Sequence, residues 1–225
     1  IKGNQGYIVP ISSTATEGYL ELQKLLVNRE IRFVSFDDRP AHLFDGLDKN
    51  TLSIILLSQK TLQAKIFSSR LNRWNSEERS CLFPNVLIYQ TPACRLPGCL
   101  PRVGSEIAFR IWEKLFDRTE NLTSFCSVYG ESVTFYSRKV NSFLQALDFI
   151  PEVYDGHGGL RPPSEFKRLT FIELAHSTAT FCLLNSSLFR WFVDVVSDGS
   201  HLNRREFDYF PFDPNKIAAF GGSLY

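Results

Sequence analysis

The sequence predicts an α/β sheet with helix cover, followed by a mixed α+β module. Three observations carry this. Residues 6–11, Gly-Tyr-Ile-Val-Pro-Ile, read as a buried strand ended by Pro10. Thr14 and Glu17 then stand at capping-box spacing, ahead of Tyr19, Leu22, Leu25 and Leu26 at helical spacing. Residues 31–34 and 51–57 are two further β-prone runs, the second of buried-strand length. The order strand, helix, strand, loop, strand begins as a βαβ-like unit, which points to a parallel or mixed sheet. Three strands and one helix cannot close a core, so residues 1–60 are expected to complete a sheet whose other strands lie elsewhere.

From about residue 61 the texture changes. Residues 90–104 are rich in Pro, Cys and Gly and read as a long loop. Ser105 is placed to cap a helix whose Ile107, Ile111 and Leu115 line one face, with Ala108, Trp112 and Phe116 beside them. Residues 133–136 are strand-like, and residues 154–163 read as an exposed loop. A second helix is expected over residues 178–196, with Phe181, Leu184, Leu188, Trp191 and Val195 as its stripe, stopping at Asp198-Gly199. Nothing repeats along the chain.

With 225 residues, 44% hydrophobic and 22% charged, the chain is globular rather than disordered. A net charge of +1 neither demands nor excludes a nucleic-acid partner. The basic residues are unevenly shared. Residues 61–225 hold 13 Arg against 5 Lys, beside 17 acidic residues, whereas residues 1–60 hold 3 Arg and 4 Lys. Arginine suits bidentate contacts to phosphate and guanine, so the bias hints at DNA. Five cysteines lack paired spacing: Cys94 and Cys99 have no matching second pair, which argues against zinc and for free thiols in a reducing cytoplasm. The apolar residues 178–196 are broken by Asn185, Arg190 and Asp194, and no membrane span is expected. The chain opens at Ile1 without a signal peptide and contains no Met, as expected of a fragment or of a sequence from which modified methionines are omitted.

Most candidate chemistry reduces to ordinary structure. Gly-His-Gly-Gly at 156–159 lacks the strand, helix and Lys-Ser/Thr of a phosphate loop and reads as a turn. Asp198 and His201 offer an acid and a base without a nucleophile motif. Asp37-Asp38 could hold a metal in principle, but adjacent loop carboxylates usually face water, and no metal site is expected. No complete catalytic set emerges. One residue stands out: Phe44 lies in a polar connection, just before Asp45-Gly46, where small polar residues are the rule.

A longer pattern is more specific. "GYIVPIS", a helix, and "IRFVSFDDRPAHLFDGLDKNTLSIILLS" resemble the C-terminal half of the catalytic domain in adenine-specific DNA methyltransferases of bacterial restriction-modification systems. "RWNSEERSCLFP", "LPRVGSEI" and "LLNSSLFRWFVDVVSDGSHLNRREFDYFPFD" resemble the region that follows it in that family. The resemblance implies that residues 1–60 supply the last strands of a Rossmann-like methyltransferase sheet, with its closing antiparallel hairpin. Residues 61–225 would form a mixed α+β target-recognition domain that faces double-stranded DNA. The family's Gly-rich S-adenosylmethionine loop and its Asn-Pro-Pro-Tyr tetrapeptide are both absent. The cofactor is therefore expected to be bound mainly by a preceding part, and the chain alone is expected to methylate nothing.

The chemistry the resemblance implies needs an aromatic on each face of a flipped adenine. The tetrapeptide supplies one, and Phe44 occupies the position that supplies the other. Candidate DNA contacts are Arg39 beside the polar connection, Arg138 and Lys139 after the strand-like run, and His201, Asn203, Arg204 and Arg205 on a turn after the last long helix. Arg204 and Arg205 have a plainer alternative, pairing with Glu206 and Asp208. Two other readings fit the same residues: a restriction-modification fusion whose nuclease lies on another part, and a DNA-binding specificity module without catalysis.

Overall fold

The structure, a computed structural model, describes residues 4–44, 46, 52–60, 65–117, 120–140 and 143–215. It is a mixed α/β fold with a five-stranded mixed sheet and smaller antiparallel sheets. The chain divides into two compact units, residues 1–117 with 194–198, and residues 118–193 with 199–225.

The first unit is built on strands β1 (Gln5–Pro10), β2 (Arg29–Phe36), β3 (Leu52–Lys60), β4 (Ile66–Asn72) and β5 (Ile88–Gln90). Their order across the sheet is β1-β3-β2-β4-β5. β3 runs antiparallel to both β1 and β2 and separates them, while β2 and β4 are parallel. The sheet therefore continues past residue 60, and β4 and β5 are two of the strands that residues 1–60 needed. Ile31, Phe33 and Ile55 pack with Leu26 and Leu100 in one cluster, and Phe36, Ala41, Leu43, Leu52, Trp74 and Leu82 form another.

The buried strand expected over residues 6–11 is instead an edge strand. Tyr7 is 48% and Ile8 56% exposed, because among the described strands β1 pairs with β3 alone. The expected capping box also fails. Thr14 lies inside the short helix α1 (Ser12–Ala15), where its hydroxyl donates back to the Ile11 carbonyl at 3.0 Å. Helix α2 (Leu20–Leu26) then starts from Tyr19 without a side-chain cap. The buried Gln23 amide ties this region to the long loop, donating to Ser13 O at 3.0 Å and Gly98 O at 3.1 Å. Gly98 has φ +67°, and a Cβ there would stand 2.5 Å from the Glu17 backbone, so the approach needs glycine.

Helix α3 (Glu106–Leu115) is capped as expected, Ser105 Oγ accepting from Ala108 N at 3.2 Å. Its buried stripe is Ala108, Trp112 and Leu115. Of the expected face of Ile107, Ile111 and Leu115, Leu115 is buried while Ile107 is 73% exposed. The large indole of Trp112 sets which side packs.

The second unit contains β6 (Ser132–Ser137), β7 (Ala146–Leu147), the ribbon β8 (Val153–Tyr154) and β9 (Leu160–Arg161), and β10 (Phe166–Phe171). β10, β6 and β7 form a three-stranded antiparallel sheet. The helix expected over residues 178–196 is two helices, α4 (Leu174–Leu184) and α5 (Ser187–Val196), bent by 66°. Asn185 explains the break. Its side chain accepts from Ala146 N at 3.2 Å and donates to Ala146 O at 3.1 Å and Phe181 O at 3.0 Å, drawing the chain out of the helix toward β7. Ser186 Oγ then caps the next helix by accepting from Phe189 N at 3.2 Å. A last helix, α6 (Arg204–Asp208), adds Phe207 to an aromatic core with Phe189, Phe192 and Phe210. Among the described residues no single helix is long and apolar enough to cross a membrane.

Candidate nucleic-acid interface

Phe44 sits in the connection of an antiparallel hairpin, β2 to β3, and is 36% exposed. The residues just before it are anchored: Ala41 and Leu43 are buried beside Trp74 and Leu82. The chain thus inserts two small or aliphatic groups and leaves the aromatic outside. An aromatic ring displayed from a pinned backbone loses little freedom on stacking with another flat group, so it makes an efficient contact.

The same connection begins with charge. Arg73 Nε donates to Asp37 Oδ2 at 2.7 Å, and its two Nη atoms hold Asp194 at 3.0 and 3.1 Å. Burial, and after it a hydrogen bond with Asp38, pushes the Asp37 carboxyl above its ordinary pKa, against the downward pull of Arg73. Asp37 is therefore engaged by a guanidinium rather than open to a cation. Among the described residues no group of three His, Cys, Asp or Glu could hold a metal ion. Arg39 is exposed on this connection, after Asp38.

In the second unit the structure brings two candidate segments together. Lys139 and His201 form an isolated antiparallel bridge, Leu202 N donates to Arg138 O at 2.8 Å, and Val140 N to Ser200 O at 3.2 Å. Arg138, Lys139, Asn203 and Arg204 are exposed and His201 is half-buried. Lys139 pairs with Glu165 at 3.1 Å and Arg204 with Asp208 at 2.9 Å. Phe44 and Arg39 belong to the other unit.

Two residues of the expected exposed turn have other duties. Asn203 caps α6 in a reciprocal box with Glu206, its own N–H donating to Glu206 Oε2 at 2.8 Å. Arg205 is half-buried with Nε and Nη2 out of solvent, so it does not share the outward face of Arg204. The helix starting at Arg204 explains both: successive residues on a helix point about 100° apart, so adjacent arginines cannot face the same way.

Sequence reasoning missed Lys167 and Arg168, exposed on β10 opposite Tyr136 and Phe135 of β6. Their signal was available, as two basic residues inside an apolar strand, Phe166-Lys-Arg-Leu169. It also missed Arg79, whose guanidinium reaches the backbone just before Phe44. No motif announces that contact. No family model matches this chain, and no curated protein matches it.

Proposed function

We propose that this chain is part of an adenine-specific DNA methyltransferase, in which it supplies target recognition and one face of the stack on a flipped adenine. The observation that carries the reading is Phe44, displayed on the connection of an antiparallel hairpin while Ala41 and Leu43 before it are buried. The β1–β3–β2 arrangement, with an antiparallel strand between two others, supports residues 1–60 as part of a Rossmann-like sheet, which runs on into β4 and β5. The exposed basic residues around the Lys139–His201 bridge support a surface for the phosphate backbone of double-stranded DNA. S-adenosylmethionine would supply the methyl group. Neither the Gly-rich loop nor Asn-Pro-Pro-Tyr is among these residues, so they do not make its site and perform no transfer alone.

Selection from a random-sequence duplex pool tests the reading. Enrichment of one common adenine-containing site, with binding that weakens steeply as salt rises, is expected. Retention of no duplex at low salt sinks it. Incubation of the chain with labelled cofactor and mixed-sequence DNA should leave adenine unlabelled.

A further inference from the structure

Arg79 lies in a 3-10 turn (Ser76–Cys81) that opens with a reciprocal cap between Asn75 and Glu78. From there its Nη2 donates to His42 O at 2.9 Å and its Nη1 to Leu43 O at 3.2 Å. The guanidinium carbon stands 5.1 Å from the ring centroid of Trp74, which is itself 3% exposed and packed in the cluster that holds Ala41 and Leu43. These are the two carbonyls immediately before Phe44. A planar cation resting on a fixed indole thus holds both, from one side.

We infer that Arg79 is a positioning residue for Phe44: by gripping the carbonyls of residues 42 and 43 it fixes the direction in which the Phe44 ring leaves the surface. The inference rests on the reading of Phe44 as a base-stacking group. Two features select arginine for this task. Its fork reaches two acceptors at once, and its flat face pairs with an aromatic ring while the edges donate. A lysine in its place could hold one carbonyl from a flexible stem but could not keep both, so Arg79→Lys is not conservative here. Burial of Leu43 fixes where the chain lies. The two hydrogen bonds fix the peptide planes, and with them the rotation of the backbone that carries the ring. Arg79 makes no contact with nucleic acid in this scheme and acts only through Phe44.

The experiment has a part that needs no DNA. With 4-fluorophenylalanine at position 44, the ¹⁹F signal is expected to be a single line in the parent protein. It is expected to shift and broaden in Arg79→Lys, which retains charge and folding, and in Arg79→Ala. An unchanged signal in both overturns the inference. The second part uses a duplex with one 2-aminopurine opposite an abasic site, where the analogue is easily turned out. Phe44→Ala should weaken capture of the analogue roughly 5- to 150-fold, the range for loss of one base–aromatic stack. Arg79→Lys should lose a comparable part of the fluorescence response, and the double variant should be no worse than Phe44→Ala alone. Losses that add in the double variant, or a full response in Arg79→Lys, overturn the inference. A parent protein that gives no response, with Phe44→Ala equal to it, sinks the stacking reading instead, and the ¹⁹F result then decides Arg79 by itself.

Discussion

Lys139 and His201 pair across an isolated antiparallel bridge, joining the end of β6 to the turn before α6. Backbone hydrogen bonds on both sides of it lock Arg138 and Ser200 into the same short ladder. Basic side chains from two distant stretches therefore share one hydrogen-bonded platform.

Arg138→Ala should weaken binding to all duplexes alike and lower the salt slope by about one. Lys139→Ala and Arg204→Ala should each do less, because Glu165 and Asp208 already share their charges. Asp208→Asn should conversely strengthen binding. Titration of mixed-sequence duplex across a range of salt measures all four, and unchanged slopes remove this ridge from the interface.

Phe44 and Leu43 are neighbours with opposite environments, and truncation should separate them. Leu43→Ala removes a buried side chain, 8% exposed, and should cost about 2–5 kcal/mol of stability. Phe44→Ala should leave the melting temperature nearly unchanged while capture of a flipped base falls. A large drop in melting temperature for Phe44→Ala, with base capture intact, would mean that the ring serves packing.

Asn185→Ala should destabilise the second unit by about 1–3 kcal/mol, since it leaves the Ala146 amide and carbonyl without their side-chain partner. Chemical denaturation gives the number. A variant as stable as the parent would show that the 66° break needs no amide to hold it.

The ribbon tip is expected to respond to acid. Asp155 Oδ1 accepts from His157 N and Gly159 N, both at 2.8 Å, and the Gly159 bond, then the His157 bond, hold the carboxyl below its ordinary value of 3.8. A lowered folded pKa means that the turn is favoured above the unfolded pKa and loosens as pH falls through the folded one. Amide shifts of His157 and Gly159 should move together in that acidic window, and Asp155→Asn should abolish the shared transition.

β1, β2, β3 and β6 were legible because β-branched and aromatic runs mark them, and Ser105 was legible as a cap, whereas β4, β5 and β10 were not read from the sequence. Other features depended on partners that lie far along the chain. Thr14 and Glu17 have capping-box spacing, yet the working boxes are Asn75–Glu78 and Asn203–Glu206. In those two the capping residue sits on extended backbone before its helix, whereas Thr14 is already helical. The helical stripe over residues 178–196 passes beside Asn185 without marking a stop, because only the place of Ala146 turns that amide into one. Phe44 announced itself by composition. Arg79 did not, since a side-chain contact to backbone carbonyls leaves no pattern in either segment.

Neither unit is one continuous stretch, and this constrains how such a protein can be recombined. Arg73 takes Asp194 as a bidentate partner, and Arg102, 1% exposed, donates to the carbonyls of Asp194 and Ser197. A single junction after residue 117 would strip a buried guanidinium of those acceptors, at a cost on the order of 3–5 kcal/mol. A chimera that exchanges the second unit for another must be spliced at three points, keeping residues 194–198 with their host. Transplanting the second unit thus means replacing two inserts around a retained five-residue clasp.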